Sequence, residues 1–391
     1  MPVQTLPGQP GQSVQAIDTP ALVLDLDAME RNIARMAAFA RQHGVLWRPH
    51  AKMHKSAALA LQLVHAGAIG ACVQKTSEAE ALLAGGVRNI YISNQVIALS
   101  KLQRVAQIAA ALAAEKPYGQ LALAVDSLEG VQRLGRAAAT GLRGSDAVID
   151  VFVEIDVGQG RCGVAPGVAA VALAQAIAVF AHLRFAGLQA YHGKAQHLRE
   201  PAQRRDAIAE ALAAVALTRA ALAEAGIAVP LVTGAGTGTM AHEAASGVYG
   251  ELQSGSFLFM DADYASNTAD PAQPVFEHAL FVKTQVISTS AGHVVCDAGH
   301  KSHAIDSGLP KVHSTGLAAA LDYFNGGDEH GILRSTEPGA ALPELGQTLW
   351  LIPGHCDPTV NLHDSIVGVR GGLANGQVER LIRVDGRGAL T

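Results

Sequence analysis

Ile149-Asp150-Val151-Phe152-Val153-Glu154-Ile155 is a run of β-branched and aromatic residues, and Asp156-Val157-Gly158-Gln159-Gly160-Arg161-Cys162-Gly163 follows it as a glycine-dense turn carrying an arginine. The alanine-rich stretch Val168–Phe180 comes next, so the segment reads as one strand–loop–helix unit. The unit recurs in both directions. Candidate strands at Val45–Pro49, Ile69–Val73, Asn89–Ser93 and Leu121–Val125 precede it, and Arg184–Ala190, Val229–Val232 and Glu251–Ser256 follow it. Helical stretches between them include Ser56–His65, Ser77–Leu83, Lys101–Ala114, Leu128–Thr140 and Pro201–Ala225. Eight strands, most followed by a helix, over about 240 residues have the size and rhythm of an α/β (β/α)8 TIM barrel. An open doubly wound sheet competes, because the pattern alone does not show closure.

Beyond Tyr264 the character changes to short strand-like pieces, Ala279–Ser288, His293–Asp297, Thr348–Ile352, Ser365–Arg370 and Gln377–Val384, punctuated by Gly, Asn and Asp. These predict a C-terminal antiparallel β domain. Ala21–Leu26, ahead of a first helix at Ala28–His43, is expected to add a strand to it. The expected division is therefore residues 1–27 as an N-terminal segment joining the β domain, 28–265 as the barrel and 266–391 as the β domain. A chain of 391 residues has room for this at about 150 residues per domain. With 49 % apolar and 16 % charged residues it has ample core. The net charge of −5 gives no footprint for nucleic acid or an anionic membrane, so the expected ligand is a small molecule. Four scattered cysteines form neither CxxC pairs nor a disulfide framework, which points to the cytoplasm. The opening MPVQTLPGQPGQSVQ lacks a signal-peptide pattern and reads as a disordered lead-in. Val168–Leu183 carries Gln175 and His182, falls short of the ~20 residues a bilayer requires, and reads as a buried amphipathic helix.

Barrels of this kind build their sites at the C-terminal strand ends, and the reactive residues cluster there. Arg48-Pro49-His50-Ala51-Lys52-Met53-His54-Lys55 follows the first strand, Gln74-Lys75 the second, Arg161 the fifth, and Tyr191-His192-Gly193 with His197 the sixth. Gly234-Ala235-Gly236-Thr237-Gly238-Thr239 follows the seventh strand and Gly255-Ser256 lies at the eighth, the places where barrels hold phosphate on backbone N–H groups. A phosphate site, a lysine after the first strand and no nucleotide signature point to pyridoxal 5'-phosphate held as a Schiff base on Lys52. That amine must deprotonate near neutral pH, and Arg48, His50, His54 and Lys55 are expected to supply the cationic surroundings that favour it.

These strings, with Asp18-Thr19-Pro20, Gln74-Lys75-Thr76-Ser77-Glu78-Ala79, Gln189-Ala190-Tyr191-His192-Gly193, Phe259-Met260-Asp261-Ala262-Asp263-Tyr264 and Pro353-Gly354-His355-Cys356-Asp357-Pro358-Thr359, resemble the D-threonine aldolase and D-3-hydroxyaspartate aldolase family of the alanine-racemase barrel type. The resemblance implies Lys52 as the Schiff-base residue. It implies contacts to the cofactor from Gln74, Thr237, Gly255, Ser256, Tyr264 and Tyr191, with Gly236 and Gly238 in the phosphate turn and Arg161 near the phenolic oxygen. It implies His355 and Asp357 as ligands of a divalent cation, and a homodimer. One departure is visible: relatives usually show three glycines before the threonine, and here the middle one is Ala235, whose methyl group is expected to displace the phosphate turn slightly.

The implied reaction is retro-aldol cleavage of a D-β-hydroxy-α-amino acid to glycine and an aldehyde, which needs a base for the hydroxyl proton and a stabiliser for the alkoxide. His197 is the candidate acid–base group. An extended strand would direct His355 and Asp357 to one side, and an imidazole–carboxylate set suits Mn²⁺, Mg²⁺ or Co²⁺. Asp328-Glu329-His330 are candidates for the groups behind these ligands, and His363 and Asp364 read as structural. Two rivals stand beside this reading. One is a D-serine or D-3-hydroxyaspartate dehydratase, whose ligand pair is His-x-Cys where this chain has Asp357. The other is a pyridoxal-phosphate-binding barrel protein without turnover, for which the segment after Tyr264 has no purpose.

Overall fold

In the computed structural model, which describes residues 6–114, 119–313 and 317–391, strand β1 (Ala21–Asp25) leads into helix α1 (Leu26–His43). The Asp25 carboxylate accepts from the N–H groups of Asp27 and Ala28, and Gly44 ends the helix in the left-handed region, so both ends are capped by their own sequence. Eight parallel strands follow: β2 (Leu46–Trp47), β3 (Ala71–Val73), β4 (Asn89–Ile92), β5 (Gln120–Val125), β6 (Ile149–Glu154), β7 (Leu183–Ala190), β8 (Val232–Gly234) and β9 (Glu251–Leu252). They lie in the order β2-β9-β8-β7-β6-β5-β4-β3. The two ends of that row also meet. The Ile69 N–H donates to the Trp47 carbonyl at 3.0 Å and the Cys72 N–H to the Pro49 carbonyl at 2.9 Å, with His50 and Cys72 in a parallel bridge. The sheet is thus a closed ring, and the open doubly wound alternative is excluded.

Between the strands run α2 (Ala57–His65), α3 (Thr76–Ala84), α4 (Leu99–Ala114), α5 (Leu128–Gly141), α6 (Val168–Ala178), α7 (Pro201–Glu224) and α8 (Met240–Ala245). Strand alternation sorts the side chains into two layers. Leu121, Leu123 and Val125 with Ile149, Val151 and Val153 pack outward against the helices. Cys72, Tyr91, Ala122, Ala124 and Phe152 form a separate cluster on the opposite faces, the inside of the ring. The remaining inside is polar. Arg48 and Glu251, with side chains 5 % and 0 % exposed, pair at 3.0 Å, and Glu251 also accepts from the Thr233 hydroxyl at 2.7 Å. Helix α6 buries Ala170, Leu173, Ala174 and Ile177 and leaves Val168 exposed. No described helix is long and apolar enough to cross a membrane, and all four cysteines are free.

The second sheet contains β10 (Leu280–Ser290), β11 (His293–Cys296), β12 (Lys311–Val312), β13 (Leu321–Asn325), β14 (Gly331–Ser335), β15 (Thr348–Ile352), β16 (Ser365–Arg370) and β17 (Gln377–Arg383). Its main path is β13-β14-β11-β10-β1-β16-β17, with β15 pairing β10 and β12. β1 therefore joins this sheet, antiparallel to β10 and parallel to β16.

Several expectations need correction. The lead-in is not disordered over residues 6–15. Val14 is fully buried, the Gly11 N–H donates to the Val378 carbonyl, and buried Lys283 holds the carbonyls of Val14, Gln15 and Ile17 at 2.8–3.0 Å. Residues 1–5 of that lead-in lie outside the described residues. The seventh barrel strand begins at Val232 and not at Val229, because Pro230 has no N–H to give a ladder. The eighth ends at Leu252, where the chain turns through a 3-10 segment at Ser256–Leu258. Strands β12, β13 and β14 were not expected. They are short, and only alternate residues of β13 and β14 are buried.

Gly187 marks the tightest point of the ring. It adopts φ 138° beside a bulge between β6 and β7, and a Cβ there would lie 1.9 Å from the Leu231 carbonyl oxygen. Gly187→Ala is expected to destabilise the fold by about 3 kcal/mol or more, read as a lowered denaturant midpoint. An unchanged midpoint would show that β7 and β8 separate freely.

Candidate active site

The strand ends and the second sheet enclose a cavity of about 470 Å³ lined by residues of both, a size within the usual range for small-molecule sites. Lys52 enters it from a 3-10 turn, Ala51–Met53, that follows β2. Its ammonium lies 2.7 Å from Asp357 Oδ2. The side chain is 42 % exposed, and the exposure is to the cavity, where protein surrounds it on the other sides.

The electrostatics around Lys52 differ from expectation. The Asp357 carboxylate holds its pKa above the ordinary lysine value. The cationic company is absent because each member has another occupation. Arg48 is paired with Glu251 inside the barrel, and Lys55 with Glu78 at 3.2 Å. Burial pushes His50 down and His54 to about 4, so both are neutral. His50 still acts on the turn, since its Nδ1 accepts the Lys52 backbone N–H at 3.3 Å. Its Nε2 faces Gln74 at 2.8 Å and Ser93 Oγ at 3.3 Å. Arg161 lies over the Tyr191 ring at 5.8 Å, and both line the cavity. Burial raises the Tyr191 hydroxyl although Lys52 and Arg161 oppose it.

Among the described residues the backbone N–H groups of Gly236, Thr237, Gly255 and Ser256 have no intramolecular acceptor. They sit at the mouth of the barrel on the cavity wall, which is a cradle suited to a phosphate. The two turns are tied together where the Phe257 N–H donates to Thr237 Oγ1 at 3.0 Å. Tyr264 lines the same cavity, and burial raises its hydroxyl pKa. Gly255 is needed for close approach, because a Cβ there would meet the His50 carbonyl at 2.6 Å. Gly238 is not brought to the cavity: its N–H donates to Gln196 Oε1 at 2.9 Å. Ala235 takes φ 67°, a left-handed conformation costing an L-residue about 1–2 kcal/mol. Ala235 is buried in the apolar cluster that includes Met240, which offsets part of that cost, and it also lines the cavity beside Gly236 and Thr237.

His355 and Asp357 also converge, but not on a strand. His355 is extended (φ −145°, ψ 124°) and serves as the N-cap position of helix α9 (Cys356–Val360), with Asp357 in its first turn. His355 Nε2 and Asp357 Oδ1 are 3.9 Å apart. Cys356 is buried, its thiol 3.3 Å from the Met260 carbonyl and away from the pair. The group behind His355 is Asp306, whose Oδ2 lies 2.7 Å from Nδ1 and leaves Nε2 for the site. Asp328 and Glu329 are instead paired with His300 and Lys301. His363 bonds the Ser302 carbonyl, and Asp364 pairs with Arg387. No group of three or more His, Cys, Asp or Glu able to hold a metal occurs among the described residues, so solvent and a substrate hydroxyl would complete a shell begun by His355 and Asp357.

His197 closes the 3-10 turn Lys194–His197 after β7 and lines the cavity. Its Nδ1 is 2.6 Å from Asp263 Oδ2, and its ring is 5.5 Å from that of Tyr264. Asp261 anchors the opposite side of the same segment, accepting from the N–H groups of Cys356 and Tyr264 at 3.0 Å. Sequence reasoning missed Asp261, Asp263 and Asp306 as supports. The first two lay in a quoted motif and were given no role, and Asp306 carries no local signal.

The profile described as "Alanine racemase, N-terminal domain" matches residues 24–263, and that described as "Putative serine dehydratase domain" matches residues 279–369. The chain is 42 % identical over 383 residues to a D-threonine aldolase of Arthrobacter sp., spanning 98 % of this chain and 96 % of that one. It is 40 % identical to a 3-hydroxy-D-aspartate aldolase of Paracoccus denitrificans, spanning 98 % and 95 %. The crystal structure of D-threonine aldolase from Filomicrobium marinum superposes with a TM-score of 0.91 at 44 % identity, over 98 % of this chain and 100 % of that one. A D-threo-3-hydroxyaspartate dehydratase from Delftia sp. HT23 is more distant, with a TM-score of 0.79 at 25 % identity over 95 % and 98 %.

Behind the glycine turn, Thr239 Oγ1 accepts from Gln196 at 2.8 Å and donates to Glu243 Oε1 at 2.7 Å, while Glu243 Oε2 is buried without a partner. Burial pushes this carboxyl up to about 7. The folded state therefore binds its proton more tightly than the unfolded chain, and the associated stability is complete below about pH 4.5 and lost as pH rises through about 7. Glu243→Gln should remove that loss, gaining on the order of 2–4 kcal/mol relative to the parent between pH 5 and pH 8. Parallel stability–pH curves for the two proteins would rule this out.

Proposed function

The chain belongs to the D-threonine aldolase and 3-hydroxy-D-aspartate aldolase family, and from that premise we propose that it cleaves D-β-hydroxy-α-amino acids to glycine and an aldehyde, using pyridoxal phosphate and a divalent cation. One observation carries the reading. The Lys52 ammonium and the Asp357 carboxylate, from opposite ends of the chain, meet at 2.7 Å in one cavity.

When bound, pyridoxal phosphate supplies the electron sink for the Cα–Cβ bonding pair. Lys52 Nζ would hold it covalently. The N–H groups of Gly236, Thr237, Gly255 and Ser256, with the hydroxyls of Thr237, Ser256 and Tyr264, would hold its phosphate. Gln74, Arg161 and Tyr191 would flank its ring, Arg161 at the phenolic oxygen. Gly238 is withdrawn from this set, its N–H being taken by Gln196. His355 Nε2 and the Asp357 carboxylate would hold the cation, Mn²⁺ in our reading with Mg²⁺ or Co²⁺ as substitutes, whose chemistry is to lower the pKa of the β-hydroxyl and fix its orientation. His197 takes the β-hydroxyl proton. The β-oxygen then becomes the aldehyde oxygen, the Cα–Cβ pair stays with Cα, and Cα takes up a proton to give glycine.

The carboxylate at Asp357, where the sequence reading expects a cysteine in dehydratases, supports cleavage over loss of the hydroxyl. The same reading takes the protein as a cytoplasmic homodimer divided into residues 1–27, 28–265 and 266–391, with the profile matches at 24–263 and 279–369 in support of the division.

Purified protein given pyridoxal phosphate, Mn²⁺ and separate D- and L-β-hydroxy amino acids should release glycine and aldehyde from the D-series. Ammonia and a keto acid would instead identify a dehydratase. EDTA should abolish cleavage and Mn²⁺ restore it, and an enzyme indifferent to both would remove the cation from the reading. Lys52→Ala should lose the visible absorbance of the bound cofactor together with turnover. A variant keeping both would need another amine.

A further inference from the structure

We propose that Asp263 is the positioning residue for the base, fixing His197 with its proton on Nδ1 and its lone pair on Nε2 toward the cavity. A carboxylate only accepts hydrogen bonds, so the 2.6 Å contact between Asp263 Oδ2 and His197 Nδ1 places the hydrogen on Nδ1. A neutral imidazole then has its lone pair on Nε2, the nitrogen left over on a ring that lines the cavity. Asp263 itself has little freedom to turn. It is 8 % exposed. Arg199 bonds its other oxygen through Nη2, and Arg199 Nη1 donates to the Asp263 carbonyl and to Asn267 Oδ1, each at 2.8 Å.

The backbone of Asp263 supplies the second half of the argument. Its N–H donates to the Gly354 carbonyl at 3.2 Å, and the Ala262 N–H to the Pro353 carbonyl at 2.9 Å. These are the residues directly before His355. One residue therefore indexes the imidazole of the barrel side against the turn that carries His355 and Asp357. A proton acceptor must be held in register with the groups that position its substrate to act in the transition state. The role of His197 as base rests on the aldolase reading; its tautomer does not.

The experiment has two arms on the full-length holoenzyme. In ¹⁵N-histidine NMR, with the His197 signals assigned by their loss in His197→Gln, the parent should show a protonated Nδ1 and an unprotonated Nε2. Asp263→Asn should shift the ring toward a tautomer mixture. A parent ring protonated on Nε2 overturns the proposal, and this result needs neither activity nor a folded Asp263 variant. In the kinetic arm, Asp263→Asn should lower kcat for D-threonine by ~10²-fold or more, with KM within about threefold, as expected when a carboxylate that orients a catalytic histidine is neutralised. Its visible cofactor absorbance should be retained. In the His197→Gln background the same substitution should change kcat by less than about threefold, since its effect passes through the missing ring. Multiplicative losses in the double variant would falsify the link. Should the parent cleave no β-hydroxy amino acid, the aldolase reading fails while the NMR arm still decides the assignment of Asp263.

Discussion

The contact between Lys52 and Asp357 is the one on which the two halves of the molecule are registered. It joins the first strand end of the barrel to a turn of the second sheet. Neither group is comfortable alone. A buried carboxylate or ammonium without a partner costs several kcal/mol, and burial alone would raise Asp357, yet Lys52 and His355 hold it below its ordinary value. The pair therefore favours the closed arrangement of barrel mouth and β sheet. Other contacts reinforce the same docking: Lys55 Nζ bonds Asn361 Oδ1 at 3.0 Å, and the Gly386 N–H donates to the Lys55 carbonyl at 2.9 Å. Lys55, read from sequence as a modulator of Lys52, is in fact a docking residue.

The segment Phe259–Tyr264 is the hinge of the design in the structural sense. Asp261 takes the Cys356 N–H at the start of α9, Asp263 takes His197, and the Met260 N–H donates to the Ser256 carbonyl in the phosphate turn at 2.8 Å. Three elements with different tasks are thus indexed from six consecutive residues. The buried carboxylates of Asp261 and Asp263 are satisfied by these bonds. Each is held by a neighbour whose own geometry is fixed by a further bond, a condition under which buried networks stiffen a site.

The sequence revealed the rhythm of the fold and the side chains with distinctive chemistry, because both are local properties. Alternation in β5 and β6 is visible in any window that contains them, and Lys52, His197, His355 and Asp357 fall at element ends that the rhythm predicts. Closure was not legible, since it rests on hydrogen bonds between Trp47 and Ile69 and between Pro49 and Cys72, which periodicity does not encode. Ion-pair partners were not legible for the same reason: that Arg48 belongs to Glu251 and Lys55 to Glu78 depends on the ring having formed. One misreading was avoidable. Pro358 sits in the first turn of α9, a place where proline is well tolerated, so His355-Cys356-Asp357-Pro358 carried a helix-start signal that the extended reading passed over.

That helix start bears on the chemistry at position 357. Asp357 offers two oxygens in different directions: Oδ2 faces Lys52 at 2.7 Å, while Oδ1 faces His355 Nε2 at 3.9 Å. The positive end of α9 adds to the preference for an anion there. A thiolate in the same place presents a single sulfur, which can serve the imidazole's cation or the lysine but has no second atom to divide between them. A carboxylate can therefore keep contact with the amine side of the cavity through Oδ2 while Oδ1, with His355 Nε2, would be left to hold a hard cation. A cation held there would supply polarisation of a hydroxyl that stays attached to its carbon, which is what the proposed cleavage of the neighbouring carbon–carbon bond requires.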